Sequence, residues 1–246
     1  MNHKHYNSII LNNDIVPKSN KEEELCLKLI KQKEKFILED AVHALRYNKN
    51  IKKTDNLYSL TQYINEINNI TNQYYLLYIQ ISQFEAYLRT YINHKMVSKY
   101  GNKWHRLDKM NDLKEFNTPK IKQLEKPSQA LNSISFGTLE LVFLNGGRYG
   151  DVFQSYLLVN TILTKDKKPK YRNKNLIKNL FSIVRNARND ICHHRRIGES
   201  IKTNSKYHKK NMTKSDLLRA LNDLKILLGY DSIFDVKQID LKYNKF

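Results

Sequence analysis

The chain has 246 residues, 40% of them hydrophobic and 11% aromatic, and carries a formal net charge of +19; that is ample for a globular fold with a substantial core, as one large domain or two small ones. The positive balance attracts polyanions such as nucleic acid or an anionic membrane surface, but abundant Lys, Asn, Ile and Tyr is also what AT-rich codon usage produces, so total charge decides little. Two distant cysteines, Cys26 and Cys192, without CxxC or Cys/His ligand spacing, leave no basis for a disulfide framework or a zinc site and point to a reducing compartment.

Residues 1–20 are polar with no hydrophobic signal core and read as a tail. No apolar run approaches the roughly 20 residues needed to span a bilayer. The expectation is a cytoplasmic protein with no membrane partner. Residues 22–47 read as two short helices parted near Lys31-Gln32-Lys33, with Leu25, Leu29, Ile30, Phe36, Ile37, Ala41, Ala44 and Leu45 as the buried set. From residue 57 to about 100, Leu77, Ile81, Phe84, Leu88, Ile92 and Met96 recur at spacings of three and four. That stripe predicts one long helix with a break near Asn68-Asn69, ending at a left-handed cap on Gly101 with Trp104 just beyond.

Residues 108–128 are polar, hold Pro119 and Pro127 and show no sustained period, which predicts a connection or a loosely packed excursion. Two short helices follow over 135–144 and 151–163, separated by the turn signal Asn145-Gly146-Gly147. Residues 173 to about 194 carry Leu176, Leu180, Ile183, Val184, Ala187 and Ile191 on one stripe. The last helix opens at a capping box, Thr213 with Asp216, shows Leu217, Leu221, Leu224 and Leu228 on one face, and stops at Gly229. Residues 233–241 alternate only weakly. The sum is an all-α bundle without internal repeat, occupying residues 21–230 between two tails, and such a fold hosts many functions.

Charge distribution says more than total charge. Residues 161–214 hold 16 Lys/Arg against three acids, Asp166, Asp190 and Glu199, so a net +13 of the +19 lies in under a quarter of the chain. Lys165, Lys167, Lys168, Lys170, Arg172 and Lys174 form one cluster; Arg195, Arg196, Lys209 and Lys210 belong to a second. Both suit an RNA backbone, and both also read as solvated loops. Tyr171 and Tyr207 read equally as base-stacking partners or as ordinary packing.

Between the clusters stands Arg188-Asn189-Asp190-Ile191-Cys192-His193-His194-Arg195-Arg196, an arginine, an amide and an imidazole at a helix end. An arginine followed five positions later by a histidine is weak by itself, because 10 Arg and 8 His give roughly a third of one match by chance. A second match, Arg89 with His94, has Glu85 one turn earlier, and there an intrahelical salt bridge beside an ordinary surface histidine is the preferred reading. At the Arg188 match, Asn189 and His193 share a helix face while Arg188 points about 140° away from His193 on an ideal helix. The structural alternative is a helix terminus whose cations complement the negative dipole end. Asp190 reads as a solvated helix acid, with fixing of a histidine tautomer as its other role.

The Arg188-Asn189 and His193-His194-Arg195 pattern resembles the signature of the Abi-like (AbiD/AbiF-type) family of bacterial abortive-infection proteins, a branch of the HEPN superfamily. Glu85-Ala86-Tyr87-Leu88-Arg89 leading to Tyr100-Gly101, and Ser135-Phe136-Gly137-Thr138-Leu139, resemble the family's central helix and the element that follows it, so the likeness runs from about residue 25 to 196. It implies a HEPN-like helical bundle with additional N-terminal helices, assembled as a homodimer or higher homo-oligomer that brings two Arg/His motifs into one metal-independent, cofactor-free ribonuclease site. Arg188, Asn189 and His193 would be catalytic, with His194, Glu85 and Arg89 auxiliary.

RNA cleavage needs little else, since the ribose 2′-hydroxyl is an internal nucleophile and the protein need only align it and manage charge. An imidazole, ordinarily titrating near 6.5, suits the proton transfer, and a guanidinium fork suits the phosphate oxygens. The expectation is an endoribonuclease of phage defence or a toxin, restrained by an antitoxin or a regulatory RNA. A non-catalytic module holding a structured RNA is the alternative. A DNA-binding regulator is a third reading, disfavoured because no short helix-turn-helix pair is visible.

Overall fold

The computed structural model describes residues 10–48, 51–54, 57–144, 152–153, 162–163, 169–170, 174–199 and 212–230. Among these the protein is helical, with eight α-helices and four two-residue strands. It divides into two compact units. Of the described residues, those up to 78 and 190–199 belong to the first, and 79–189 and 212–230 to the second.

In the first unit, α1 (Asn20–Gln32) starts where the Ser19 side chain accepts from the Glu22 amide, satisfying a donor that a helix start leaves orphaned. Lys33 and Glu34 are extended, and this step, close to the expected parting, leads into α2 (Lys35–Tyr47). The buried line of α1 runs through Cys26 and Ile30, while Leu25 is 42% exposed and Leu29 half-buried. Leu25 sits 100° off that line, so the most hydrophobic positions mispredict the inner face. On α2, Ile37, Ala41, Ala44 and Leu45 are buried as read, joined by Leu38 and Val42; Phe36 is half-buried and rests on Tyr74 at 5.1 Å.

Residues 10–16 are packed, where the sequence reading places a polar tail. Ile10 and Ile15 are fully buried, and β1 (Ile15–Val16) pairs in parallel with β2 (Tyr58–Ser59). Ile10 and Leu11 are parted from Ile15 and Val16 by Asn12, Asn13 and Asp14, too short a pattern to show a period, yet Ile10 and Ile15 anchor the segment.

The helix α3 (Leu60–Tyr100) runs 41 residues without the break expected at Asn68-Asn69. Buried Ile67 and Ile70 hold the turn on either side, and packing outweighs the modest propensity deficit of two asparagines. All six residues of the expected stripe are buried. Gly101, with φ +77°, ends the helix, its amide bonded to the Val97 carbonyl, a backbone that a side chain would strain.

In the second unit, residues 104–124 form ordered structure and not a loose excursion. Two 3₁₀ turns, Trp104–Arg106 and Asp108–Asp112, precede α4 (Pro119–Gln123) and α5 (Pro127–Asn132). Trp104, Met110, Leu113, Phe116 and Ile121 are buried. Elements barely more than one turn long cannot display a period, and the two prolines sit at helix starts, where a missing N–H costs nothing. The next helix, α6 (Phe136–Leu144), matches its expected span. Around it Phe84, Phe136, Phe143, Phe153 and Phe181 form an aromatic core, with Phe143 and Phe181 rings 5.4 Å apart.

Of the helix expected over 151–163, the last two residues are strand: β3 (Ile162–Leu163) pairs antiparallel with β4 (Pro169–Lys170). Residues 145–151, 154–161 and 233–241 lie outside the described residues. The helix α7 (Lys174–Cys192) buries Ile177, Leu180, Phe181, Val184, Ala187 and Asp190, whereas Leu176, Ile183 and Ile191 are half-buried, so its inner face is turned slightly from the expected one. The capping box and the stop at Gly229, φ +67°, frame α8 (Lys214–Leu228) as read, with all four expected leucines buried. No helix among the described residues is long and apolar enough to cross a membrane.

One buried base tunes this unit to pH. His105 is buried with Nε2 2.9 Å from the Leu124 carbonyl oxygen, to which it donates, and its Nδ1 has no partner among the described residues. Burial lowers its pKa below the ordinary 6.5, against the pull of that carbonyl. The unfolded chain therefore binds a proton that the folded chain refuses, and stability falls as pH drops below about 6.5. Urea midpoints measured from about pH 8 to 5 should fall less steeply for His105→Gln, which keeps the donor; an unchanged profile would exclude this origin.

Candidate functional site

Amphipathicity carries α7 to Cys192, and there the chain stops in an unusual way. His194 adopts φ +53°. Two bonds close the end, from the Arg195 amide to the Asp190 carbonyl at 2.8 Å and from the His194 amide to the Ile191 carbonyl at 3.1 Å. This is a Schellman stop, which ordinarily takes glycine. A histidine there costs about 1–2 kcal/mol of backbone strain.

Buried groups of the first unit pin the turn. Asp190 is 0% exposed, and its Oδ2 accepts the Gly198 amide at 2.8 Å. The Ile197 amide donates to the Tyr74 hydroxyl at 3.3 Å, and burial pushes that phenol's pKa well up. Arg196 reaches Glu39 at 3.2 Å and Asp40 at 2.8 Å, while His194 Nδ1 lies 2.9 Å from Glu34 Oε1. The reading of Asp190 as a solvated helix acid is thereby corrected. A helical wheel could have found it, since Asp190 lies three residues beyond buried Ala187.

Arg188 belongs to the second unit, where its Nε donates to Glu85 Oε2 at 2.9 Å. The other Glu85 oxygen pairs with Arg89, the intrahelical bridge expected from their spacing. Arg89 in turn donates to the Leu131 and Ile134 carbonyls, tying the turn between α5 and α6 to α3. Beside it, Ser135 caps α6 and donates through both N and Oγ to Glu115 at 2.7 Å. Burial alone would raise the Glu115 carboxyl, but these donors and nearby Arg89 hold it below the usual carboxylate range.

The Arg188 side chain is 35% exposed, and its Nη1 and Nη2 make no bond to a described residue. Glu85 thus fixes the guanidinium by its inner nitrogen, and no described residue bonds its outer edge, whose N–H donors are of the kind an anionic oxygen accepts. Asn189 is exposed, and so is His193, whose ring has no hydrogen bond or ion pair among the described residues. Arg195 is exposed, and His94 is an ordinary surface residue.

Compared with family models, curated proteins and solved structures, the chain matches none of them.

Lys165, Lys167, Lys168, Arg172, Lys209 and Lys210, with Tyr171 and Tyr207, lie outside the described residues; Lys170 stands in β4 and Lys174 opens α7. Among the described residues no three His, Cys, Asp or Glu side chains are grouped to hold a metal ion. Sequence reasoning passed over Arg185, which pairs with buried Glu140 on α6. The signal was its position one turn before Arg188.

Proposed function

We propose that the protein is a metal-independent endoribonuclease of a phage-defence or toxin system, leaving a 2′,3′-cyclic phosphate and a 5′-hydroxyl. The observation that carries this reading is an arginine held by Glu85 whose outer nitrogens bond to no described residue, followed along the same segment by an exposed imidazole at a strained helix stop. The likeness of the 188–195 run to Abi-like HEPN proteins supports it.

In this chemistry the 2′-oxygen attacks phosphorus, the bond to the 5′-oxygen breaks, and the leaving oxygen takes up a proton. Arg188 meets the charge that builds on the non-bridging oxygens. His193 gives the proton to the 5′-oxygen or takes one from the 2′-hydroxyl. A second copy in a homodimer would bring the other imidazole. Asn189 orients phosphate or ring, and an antitoxin or a structured RNA restrains the enzyme in its host.

The test is cleavage of an end-labelled RNA in excess EDTA, with one ribose replaced by its 2′-deoxy form. Cutting everywhere except at the deoxy step, with cyclic-phosphate ends, is the expected result. Loss of all cutting in EDTA, or cutting at the deoxy step, overturns the mechanism. A second reading, a module that binds RNA without cutting it, is favoured by the lack of an orienting partner for His193 among the described residues; it predicts tight binding and intact RNA.

A further inference from the structure

Arg185 and Arg188 lie three residues apart on α7, within the second unit, so they share a face with Cβ atoms about 5–6 Å apart. Each is anchored in the same manner by an acid of another helix. Arg185 gives Nη1 to Glu140 Oε2 of α6, as Arg188 gives Nε to Glu85 of α3. In both pairs the acid is the more buried partner. The Glu140 side chain is 3% exposed and that of Arg185 36%, with Glu85 at 14% and Arg188 at 35%.

We infer that Arg185 and Arg188 together form a two-headed clamp on the outer face of α7 that takes neighbouring phosphates of one RNA strand. The inference rests on the RNA reading of the Arg188 site and extends it to a residue that the Arg/His motif does not include. Here the remaining nitrogens of Arg185 bond to no described residue, so its fork keeps donors for a second acceptor. Anchoring by an acid more buried than the arginine also removes rotamer freedom before RNA arrives, which lowers the entropy lost on binding. Exposed Lys178, whose charge acts on Glu140, continues the same positive line. Phosphate contacts of this kind carry no sequence information, so the clamp fixes the register of the strand and not the choice of base.

Removing Arg185 alone would leave Glu140 buried without its counter-charge, so the variant to make is Arg185→Gln with Glu140→Gln, which leaves the net charge at the wild-type value. The probe is a short fluorescein-labelled 2′-O-methyl oligouridylate, which cannot be cut by 2′-hydroxyl attack. Titrations between about 50 and 200 mM salt give a log–log slope that loses about 0.7 for each phosphate contact on a single strand. The paired variant should lose about 0.7 relative to wild type, Arg188→Gln about the same, and the combination about twice that. A wild-type slope in the paired variant overturns the clamp while leaving RNA binding intact; no binding by wild type overturns the RNA reading and the clamp with it. Should the paired variant not fold, phenylglyoxal modification of wild type read by mass spectrometry replaces it. The oligouridylate should then protect both Arg185 and Arg188 but not Arg219, exposed on α8; an Arg185 that stays reactive with RNA bound overturns the inference.

Discussion

If the protein is the ribonuclease proposed, His193→Ala should lower RNA cleavage by about 10²–10⁴-fold, the usual contribution of a general acid or base, while His94→Ala should leave it at the wild-type level. Both histidines follow an arginine by five positions and both are exposed, so the pair separates motif from site. His94 lies on the long helix α3, where Arg89 is committed to Glu85 and to two backbone carbonyls. It has no open guanidinium to work with. His193 follows Arg188, whose outer nitrogens bond to no described residue. The assay is the EDTA cleavage gel with equal amounts of folded protein, and RNA binding by His193→Ala should persist, since phosphate contacts from Arg188 and its neighbours survive. Equal losses from both variants would sink the assignment.

Asp190→Ala destabilises the protein by about 2–3 kcal/mol, because it strips a fully buried carboxylate from the Gly198 amide and leaves that donor without its partner. For a chain of this size that is a fall of roughly 4–12 °C in Tm. Cleavage should fall with it, since the same carboxylate fixes the turn beyond His193. Asp190→Asn, which keeps an acceptor oxygen, should recover part of both. Limited trypsin digestion gives a local readout, because Arg195 and Arg196 lie in the pinned turn and should be cut faster in the alanine variant. Wild-type stability and digestion in Asp190→Ala would show that the turn is held by its other contacts.

Long helices were legible in the sequence because packing writes a period into them. The stripe from Leu77 to Met96 and the leucines of α8 needed no structure to be seen, and Thr213 and Gly229 marked their own helix ends through capping chemistry. Short elements were not legible: α4 and α5 are too brief to repeat, and their buried Ile121 and Leu131 stand among polar neighbours. At the candidate site, residue types and spacing single out Arg188 and His193 as candidates but say nothing of their surroundings. The helical wheel turned Arg188 away from His193, and the structure supplies what lies there, the Glu85 carboxylate. Asp190 was misread because an aspartate beside a basic run looks solvated, while its burial depends on Gly198 returning eight residues later.

The left-handed backbone at His194 sets backbone strain against a side-chain contact at one position. Glycine there would relieve strain and firm the helix stop, yet would remove the ring that meets Glu34. A selection for thermal resistance alone would drift toward glycine at this residue, whereas a selection that also demanded function would keep the imidazole only if the ring takes part in it. The identity recovered at position 194 from such a pair of selections would report whether the ring itself is needed.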